Sequence, residues 1–533
     1  MRMGKTSGMK GFVIGAAVTA SLAMSVSAYA DTIQKQIAVT YDDIIVKLNG
    51  QETALKDATG ATVEPFIYNG TVYLPARAIS EAVGLTASYD KTSKTVSLTS
   101  NGGTTSSDGK TGTPPEGTPP EGTAPSGTAS TLDASTLGSA TYAQSGSSAV
   151  KTGDSISASA MGASAVKVTN SGVLTLNGVT LNKTGNTSSE DNSNFYGLNA
   201  GLLATAGSTI TLNDSTVTTA ATGANAVFAT GAGATVNVSG VTINTTADSS
   251  RGLDATYTGT VNATNTNITT AGTHSASIAT DRGNGTVNVT GGTMNTTGTD
   301  SPGIYSTGNI SVTSALLTAT GSEAAVIEGK NSITLNNTHL SGAKKSGVML
   351  YQSFSGDAEV GTSTFNMTGG SLTAYAGPLF YATNTSAVIN LKNAGLTAFS
   401  GILLHAAADQ WGTAGANGAS VTLNANAQPL TGDVTADSLS SVALVLSDGS
   451  SLSGAIDNAN TAKSASLTLD ATSTWNVTGD SYLSALISSV TDFSNIKDNG
   501  YDIYYDASAS ANSWLGGQTY YLTNGGLLTP AAN

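Results

Sequence analysis

The chain has 533 residues with no cysteine, 11% charged and 6% aromatic side chains, and a formal net charge of −14. Such an acidic chain is not expected to bind nucleic acid or an anionic membrane surface, because both are negatively charged. Without cysteine, an exported chain must be held together by burial and strand pairing instead of disulfides. Gly, Ser, Thr, Asn and Ala dominate the composition, which suits a β-solenoid with a thin core and polar outer faces.

Residues 1–30 have the parts of a secretory signal peptide. Three basic residues open the segment, an apolar run extends from residue 11 to about residue 24, and Ala28-Tyr29-Ala30 is a small-residue cleavage site. The run is short and rich in small residues for a membrane span. Removal of the segment changes the net charge from −14 to −17, because it carries three positive charges and no negative one. We therefore predict an exported chain with no membrane span after signal removal.

Residues 31–100 predict a small α+β domain. Residues 65–75 read as a hairpin, because Asn69-Gly70 is a strong turn signal between two runs of strand-forming residues. Residues 76–84 predict one short helix that ends at a glycine, and residues 94–98 predict a last strand.

The motif NGTVYLPARAISEAVG at residues 69–84, followed by YDKTSKTVSL, resembles the copper amine oxidase-like N-terminal domain. This family is a stalk module on exported proteins of Gram-positive-type bacteria, so the resemblance implies a stalk. Nothing downstream resembles the catalytic domain of a copper amine oxidase, and we therefore predict neither copper nor another cofactor. Residues 101–130 contain PPEGT twice among Gly, Thr and Ser, which predicts an extended linker.

One apolar spacing repeats through the middle of the chain. Each copy has two apolar residues two positions apart and a third apolar residue five positions later. A two-residue step keeps both side chains on one strand face, whereas a five-residue step would put the third on the other face. The chain must therefore bend within each copy. The copies are Leu174/Leu176/Leu181, Ile210/Leu212/Val217, Val236/Val238/Ile243, Val261/Ala263/Ile268, Val287/Val289/Met294, Ile310/Val312/Leu317, Ile333/Leu335/Leu340, Phe365/Met367/Leu372 and Ile389/Leu391/Leu396.

The residue two past the second apolar position identifies the bend. It is nearly always Gly, Asn or Asp, the types that tolerate the left-handed backbone in which one residue can turn a strand. We therefore predict two short inward-facing strands joined by a tight bend in each copy. The bend residues are Gly178, Asp214, Gly240, Asn265, Gly291, Ser314, Asn337, Gly369 and Asn393.

A further apolar element fills the gap between copies, and the copies recur every 23 to 26 residues between Leu212 and Leu335. Three strands per turn describe a parallel β-helix, here of roughly ten to twelve coils. The pattern resembles the right-handed parallel β-helix proteins of the pectin-lyase-like fold, and that resemblance implies the right hand. The third elements are marked by Val227, Leu253, Ile278, Ile304, Val326, Val348, Leu379 and Ile402.

The predicted fold class is therefore all-β, a right-handed parallel β-helix solenoid with a small N-terminal α+β stalk domain. The β-helix occupies residues 131–480, and residues 481–533, which are rich in Tyr, form its C-terminal cap. A cap is needed because an open last coil would expose unpaired strand edges.

Three insertions interrupt the repeat, at residues 184–196, 351–361 and 405–418. The last two follow third strands two coils apart, so they lie roughly 10 Å apart along the rod. We interpret them as one rim, with aromatic side chains as sugar platforms beside carboxylates. The candidate ligand-binding residues are Tyr351, Asp357, Glu359, His405, Asp409 and Trp411.

The densest ionisable group in the rod comprises Arg251, Asp254, His274, Asp281 and Arg282. Polysaccharide lyases and hydrolases of the pectin-lyase-like fold use clustered carboxylates, often with calcium, so the resemblance leaves an enzyme open. Ion pairs at solvated turns explain the same residues. Neither His339 nor His405 has a partner at metal-ligand spacing. The sequence favours ion pairs and predicts no catalytic residue and no metal site.

Short runs of Thr and Asn follow the third apolar position in several copies. If all pointed outward, they would stack into a flat hydroxyl ladder like that of ice-binding solenoids. Strand propensity and mutual hydrogen bonding explain the same residues. The runs are Thr218-Thr219, Asn244-Thr245-Thr246, Thr269-Thr270 and Asn295-Thr296-Thr297.

The sequence favours a non-enzymatic, exported protein of the cell envelope or surface of a Gram-positive-type bacterium. Its β-helical rod would serve adhesion or contact with a polysaccharide or cell-wall glycan. The alternative is a polysaccharide lyase or glycoside hydrolase of the pectin-lyase-like fold, acting through the Arg251/Asp281 group or the inserted loops. The sequence does not specify an oligomeric state.

Overall fold

The structure is a computed structural model. It describes residues 134–531 and, before them, the short stretches 39–41, 44–48, 51–52, 62–68, 71–75, 85–90 and 95–100. The chain divides into two compact units, Met1–Thr111 and Gly112–Asn533. The predicted signal peptide, the predicted helix at residues 76–84 and the predicted linker lie outside the described residues.

The described part of the first unit consists of antiparallel strand pairs. The Phe66 and Tyr73 rings stack with centroids 5.4 Å apart across one pair, which is the hairpin predicted around Asn69-Gly70. The pairs are Lys47–Leu48 with Gln51–Glu52, Phe66–Tyr68 with Thr71–Tyr73, and Leu85–Asp90 with Thr95–Ser100.

The second unit is a parallel β-solenoid of about 16 turns, more than the ten to twelve predicted. Most coils contribute two strands, which we call the first and second strands, to a 22-stranded sheet, and the last coils contribute one. Its strands are Ser148–Thr152, Ser155–Ala158, Val173–Asn177, Thr180–Lys183, Thr209–Asn213, Thr216–Thr219, Thr235–Ser239, Thr242–Thr245, Thr260–Thr270, Thr286–Thr296, Asn309–Thr313, Leu316–Ala319, Ser332–Asn336, His339–Gly342, Thr362–Thr368, Ser371–Ala374, Ser386–Lys392, Gly395–Ala398, Ser420–Asn426, Ser441–Ser447, Ser464–Leu469 and Ala485–Ser488.

The third strands build a 12-stranded sheet, which we call the third-strand sheet. Its inner face closes the core. They are Ala140–Ser145, Ser164–Thr169, Leu202–Ala204, Val227–Thr230, Leu253–Thr256, Ile278–Thr280, Ile304–Ser306, Ala325–Glu328, Val348–Tyr351, Phe380–Thr383, Ile402–Ala406 and Asp433–Ala436. Two four-stranded sheets complete the last coils, with strands Pro429–Thr431, Ser451–Ser453, Thr474–Asn476 and Ile496–Lys497, and Ser481–Leu483, Ile503–Tyr505, Tyr520–Tyr521 and Leu527–Pro530.

The apolar positions of the repeat stack coil upon coil, as predicted. The second positions pair in register from Leu176 to Leu391, and the third positions from Leu181 to Leu396. All except Leu396, which is partly buried, belong to one continuous buried cluster. The interior is therefore one long core that each coil shares with its neighbours, and a single coil could not bury its own apolar face.

The predicted bends are confirmed at all nine residues. Each has a positive φ, between 47° at Asn337 and 68° at Gly291. The left-handed residue turns the strand so that the third apolar side chain points inward despite the odd five-residue step.

An exposed bend residue gives a direct test of this backbone requirement. Ser314 has a φ of 56° and carries an exposed side chain. We expect Ser314→Val to lower the free energy of unfolding by about 1–2 kcal/mol, because left-handed backbone is strained in a β-branched residue. Ser314→Gly should be neutral or stabilising by up to about 1 kcal/mol. Denaturant unfolding measures both changes, and equal effects of Val and Gly would contradict the prediction.

The structure corrects three of the predicted third-strand markers. The inward position is held by Ala325, Phe380 and Leu404, which pair in register with Val348 or with each other. Val326 instead points to the outer face of the sheet, and the predicted Leu379 and Ile402 precede the inward residue. These strands are buried or half-buried on both faces, so alternation between apolar and polar residues could not fix their phase.

The predicted Thr ladder is not a uniform outward face. Thr219, Thr245, Thr270 and Thr296 are buried. The hydroxyls of Thr245, Thr270 and Thr296 donate to a serine carbonyl oxygen five residues later, at 2.7, 2.5 and 2.7 Å. These threonines hold the turn into the third strand, and the residues before them face outward.

The two ends of the ladder differ from its middle. In the first coil Lys151 occupies the position that Leu176 holds in the next, and its ammonium lies 4.7 Å from the centre of the Tyr142 ring. An inward charge of this kind discourages pairing with another chain at an open strand edge. At the other end Leu527–Pro530 pairs antiparallel with Tyr520–Tyr521. The role of residues 481–533 as a cap stays a prediction.

Helical segments in the described part of the chain are Ala134–Leu137, Glu190–Tyr196 and the 3-10 turn Ser510–Leu515. None of the helices in the described ranges is long and apolar enough to cross a membrane.

Candidate functional site

A cleft of about 550 Å³ lies on the outer face of the third-strand sheet. Five successive coils share one outward register position, which is held by Asp254, Ala279, Tyr305, Val326 and Met349. The last three of these residues line the cleft, together with residues of all three insertions. The structure thus joins regions that the sequence suggested separately, the inserted loops and the Arg251/Asp281 group.

The first insertion forms the helix Glu190–Tyr196, which was not predicted. Ser189 caps its N-terminus by accepting a hydrogen bond from the Asn192 amide, and Gly197 ends it with a φ of 75°. Beside it, on the outer sheet face, Ala200, Leu203 and Phe228 form a small buried apolar cluster. The Phe195 carbonyl accepts a hydrogen bond from the Thr256 hydroxyl at 2.8 Å, which ties the helix to the sheet.

The second insertion follows Tyr351 and is held by the buried carboxylate of Glu328. Its Oε2 accepts hydrogen bonds from the hydroxyls of Tyr305 and Tyr351, at 2.5 and 2.9 Å. Its Oε1 accepts from the hydroxyls of Ser353 and Ser355. Glu328 is only 1% exposed, so these four donors satisfy oxygen atoms that burial removes from water. The carboxylate therefore positions two cleft tyrosines and the start of the loop.

The third insertion brings Trp411 to the mouth of the cleft. Its ring centroid lies 5.3 Å from that of Tyr351 and 6.5 Å from that of Phe354. The Asn417 side-chain amide donates to the carbonyl oxygens of Asp409 and Trp411, at 2.6 and 2.8 Å, and fixes the loop. The Phe354 side chain is 54% exposed. Two inserted loops from different coils therefore build one aromatic rim.

Arg251, Asp254 and Asp281 form a buried charged group at one side of the cleft. Arg251 Nε lies 3.0 Å from Asp281 Oδ2, and Arg251 Nη1 donates to Asn194 Oδ1 at 2.5 Å. Asp254 is fully buried and its carboxyl group contacts that of Asp281. Burial, and then repulsion from Asp281, raise the pKa of Asp254 well above its usual range. We infer that Asp254 is protonated and donates to Asp281.

A second basic residue links two insertions. The Arg282 guanidinium lies 3.6 Å from the centre of the Phe195 ring and forms an ion pair with Asp357. Phe195 belongs to the first insertion and Asp357 to the second. A cation between an aromatic face and a carboxylate is stabilised by both, so Arg282 fastens the two insertions together.

The lining of the cleft contains a third charged group. Lys345 forms an ion pair with Asp300, and its ammonium lies 3.7 Å from Glu323 Oε1. All three residues line the cleft and come from successive turns between second and third strands. The register of the coils therefore brings together charges 45 residues apart.

The candidate residues from sequence divide into two sets. Tyr351, Asp357 and Trp411 line the cleft. Glu359 pairs with Lys330 at 3.8 Å, His405 stacks on Tyr381 with ring centroids 5.8 Å apart, and Asp409 accepts from the Tyr381 hydroxyl at 2.7 Å. His405 and Tyr381 continue the outward register position of Met349. Ligand binding by these residues stays a prediction.

Sequence reasoning missed Glu328, Tyr305 and the Lys345 group. Glu328 stands in register with Tyr351, one coil before it. A carboxylate at the outward position of an otherwise apolar strand was the available signal, because a buried charge needs several donors. Within the described residues, no group of three or more His, Asp or Glu side chains is placed to hold a metal ion.

Comparison with known proteins bears on the first unit of the chain. Residues 47–108 match the family model of the copper amine oxidase N-terminal domain. The predicted resemblance to this domain is therefore confirmed for this stretch, which is a small part of the chain, and its role as a stalk stays a prediction. No curated protein and no solved structure matches the chain.

Proposed function

We propose that the chain is an exported, non-enzymatic protein of the cell envelope or surface that binds a polysaccharide in the cleft of its β-helical rod. The observation that carries the proposal is the rim of Tyr351, Phe354 and Trp411 over a cleft of about 550 Å³. Aromatic rings beside hydrogen-bonding groups are the usual lining of concave ligand sites, and ring faces suit the apolar faces of sugars.

Export and location are supported by the N-terminal sequence. Residues 1–30 read as a signal peptide, and residues 47–108 match a domain that the sequence resemblance describes as a stalk on exported proteins. The cell envelope of a Gram-positive-type bacterium is therefore the proposed site of action.

Binding without cleavage is supported by the pairing of the cleft charges. Arg251 is paired with Asp281, Arg282 with Asp357, and Lys345 with Asp300, while Glu328 accepts four hydrogen bonds. A general acid or base must contact the substrate to exchange its proton with it, and these groups are engaged with partners inside the chain.

Cleavage of the polysaccharide is the second candidate, and one observation favours it. Asp281 lines the cleft, and its burial raises its pKa although Arg251 opposes the change. A carboxyl group that retains its proton beside a ligand is what general acid catalysis requires. Asp254 is fully buried and does not itself line the cleft.

One experiment separates the two candidates. The mature chain from Asp31 is incubated with insoluble and soluble polysaccharides, and both the bound fraction and new reducing ends or unsaturated uronates are measured. We expect saturable binding to at least one polysaccharide and no product. Product formation that is lost in Asp281→Asn, with the chain still folded, would replace the binding proposal with the enzyme.

A further inference from the structure

We propose that the polysaccharide in the cleft is an uncharged glycan and not a polyanion such as a polyuronate. The inference rests on the proposed function and names its ligand class. Three features of the cleft support the inference: its lining has more acidic than basic side chains, its cations are already in ion pairs, and its rim is aromatic.

Carboxylates outnumber cations in the lining of the cleft. The basic side chains that line it are Arg251 and Lys345, with His274 beside them. The acidic side chains are Glu190, Asp281, Asp300, Glu323 and Asp357. Even with Asp281 protonated, the lining would carry more negative than positive charge. The whole chain adds to this potential, because its net charge is −14. Such a cleft repels an approaching polyanion.

The cations of the cleft are already engaged. Arg251 contacts both Asp281 oxygens, at 3.0 and 3.3 Å, and Asn194. Lys345 lies between two carboxylates, those of Asp300 and Glu323. A ligand carboxylate would have to displace one of these internal partners, which would then lose its counter-charge. Separating the buried Arg251–Asp281 pair leaves an uncompensated charge and is strongly unfavourable, whereas the Lys345–Asp300 pair is exposed and is held less strongly.

The neighbouring Arg282 is engaged in the same way. Its ion pair with Asp357 is largely buried, with side-chain exposures of 20% and 18%, and Phe195 covers its guanidinium. A uronate polymer carries one carboxylate on each sugar, and a desolvated carboxylate needs a cation or several donors. The described part of the cleft therefore lacks a free cation for each such group.

Neutral groups remain to contact a sugar. Trp411, Gln410, Met349 and Ser249 all line the cleft. Sugar hydroxyls can both donate and accept hydrogen bonds, so they can use the outer lone pairs of carboxylates that are already paired. An uncharged glycan gains these contacts without breaking an ion pair, and stacking on the rim adds apolar burial.

The test measures binding of the full mature chain to a panel of defined glycans. The panel contains neutral β-glucan, xylan and chitin oligosaccharides and, as the polyanion, polygalacturonate, each at low and high salt and with calcium or a chelator. We expect a neutral oligosaccharide to bind with an affinity that salt hardly changes, and polygalacturonate not to bind. Polygalacturonate binding that is lost in Trp411→Ala, with or without calcium, overturns this inference and leaves the proposed function intact. Binding of none of the panel overturns both.

A gain-of-binding variant tests the electrostatic reason itself. Asp300→Asn removes one of the two carboxylates at Lys345, so we expect salt-sensitive polygalacturonate binding to appear. Asp214→Asn is the matched control, because it makes the same charge change at a bend residue of the 22-stranded sheet that does not line the cleft. Continued rejection of polygalacturonate by Asp300→Asn would show that charge pairing does not set the selectivity.

Discussion

Replacement of Trp411 by alanine is expected to weaken polysaccharide binding by about tenfold or more, because truncating a central aromatic contact typically costs 2 kcal/mol or more. Trp411 packs against Tyr351 and Phe354 at the mouth of the cleft. The change removes the largest ring of the rim and leaves the backbone anchors from Asn417 in place. Isothermal titration with the glycan that the wild-type chain binds measures the effect.

The chain offers a matched control for this experiment. Phe399 is 66% exposed and stacks on Tyr375 with ring centroids 5.2 Å apart, but neither ring lines the cleft. Phe399→Ala should leave the affinity within about twofold, since residues outside the central contact contribute little. Equal losses in the two variants, or an unchanged affinity in Trp411→Ala, would place the ligand elsewhere on the rod.

Replacement of Arg251 by methionine is expected to lower the free energy of unfolding by about 3–5 kcal/mol, because it leaves Asp281 buried without its counter-charge. Arg251 and Asp281 are nearly fully buried, and Asp254 has no exposed surface. Lys344→Met removes the same charge from an exposed turn residue and should change stability little. Urea unfolding followed by circular dichroism compares the two variants.

Asp254→Asn gives the complementary result at the same site. Asp254 is inferred to be protonated, so an amide replaces a neutral group of similar shape, and we expect a change within about 1 kcal/mol. A loss as large as that of Arg251→Met would show that Asp254 is ionised in the folded chain.

The pH dependence of stability follows from the same carboxyl group. The pKa of Asp254 is raised in the folded chain, so the folded state holds this proton more tightly than the unfolded state does. The contribution to stability is therefore full below the ordinary aspartate pKa and decreases as the pH rises towards the raised value. Asp254→Asn should reduce this loss of stability with rising pH. The loss that remains is attributed to Asp281, whose pKa is also raised. An unchanged pH profile would contradict the assignment.

The coil itself could be predicted from the sequence because its determinants are local. In each copy, two apolar residues stand two positions apart and the third apolar residue follows five positions later, with a residue such as Gly, Asn or Asp between them. This spacing requires a bend at a left-handed residue, and all nine bend residues have a positive φ. Repetition of one unit then allows neighbouring coils to pair in register from Leu176 to Leu391. Third strands such as Leu202–Ala204 and Val227–Thr230 are buried on both faces. The sequence therefore could not indicate which of their residues point into the core.

The candidate site could be predicted only in pieces. The sequence picked out Tyr351, Asp357 and Trp411 on inserted loops, and separately Arg251 and Asp281 in the regular coils. It could not join them, because nothing local indicates which outward side chains of different coils meet. Arg282 and Asp357 are 75 residues apart in the chain, and Arg251 and Asn194 are 57 apart.

The amino-acid sequence by itself determined the parallel solenoid, its strand length and its bends, since each coil is specified by about 25 residues and a left-handed bend needs no distant partner. Only the tertiary structure decided that Glu328 would bind two tyrosines and two serines, that Asp254 would lie against Asp281, and that three insertions would enclose one cleft. Those outcomes depend on the number of residues in each coil and each insertion, which sets where each insertion lies along the solenoid. Burial then sets the charge of each carboxyl group, and burial is a property of the assembled coils.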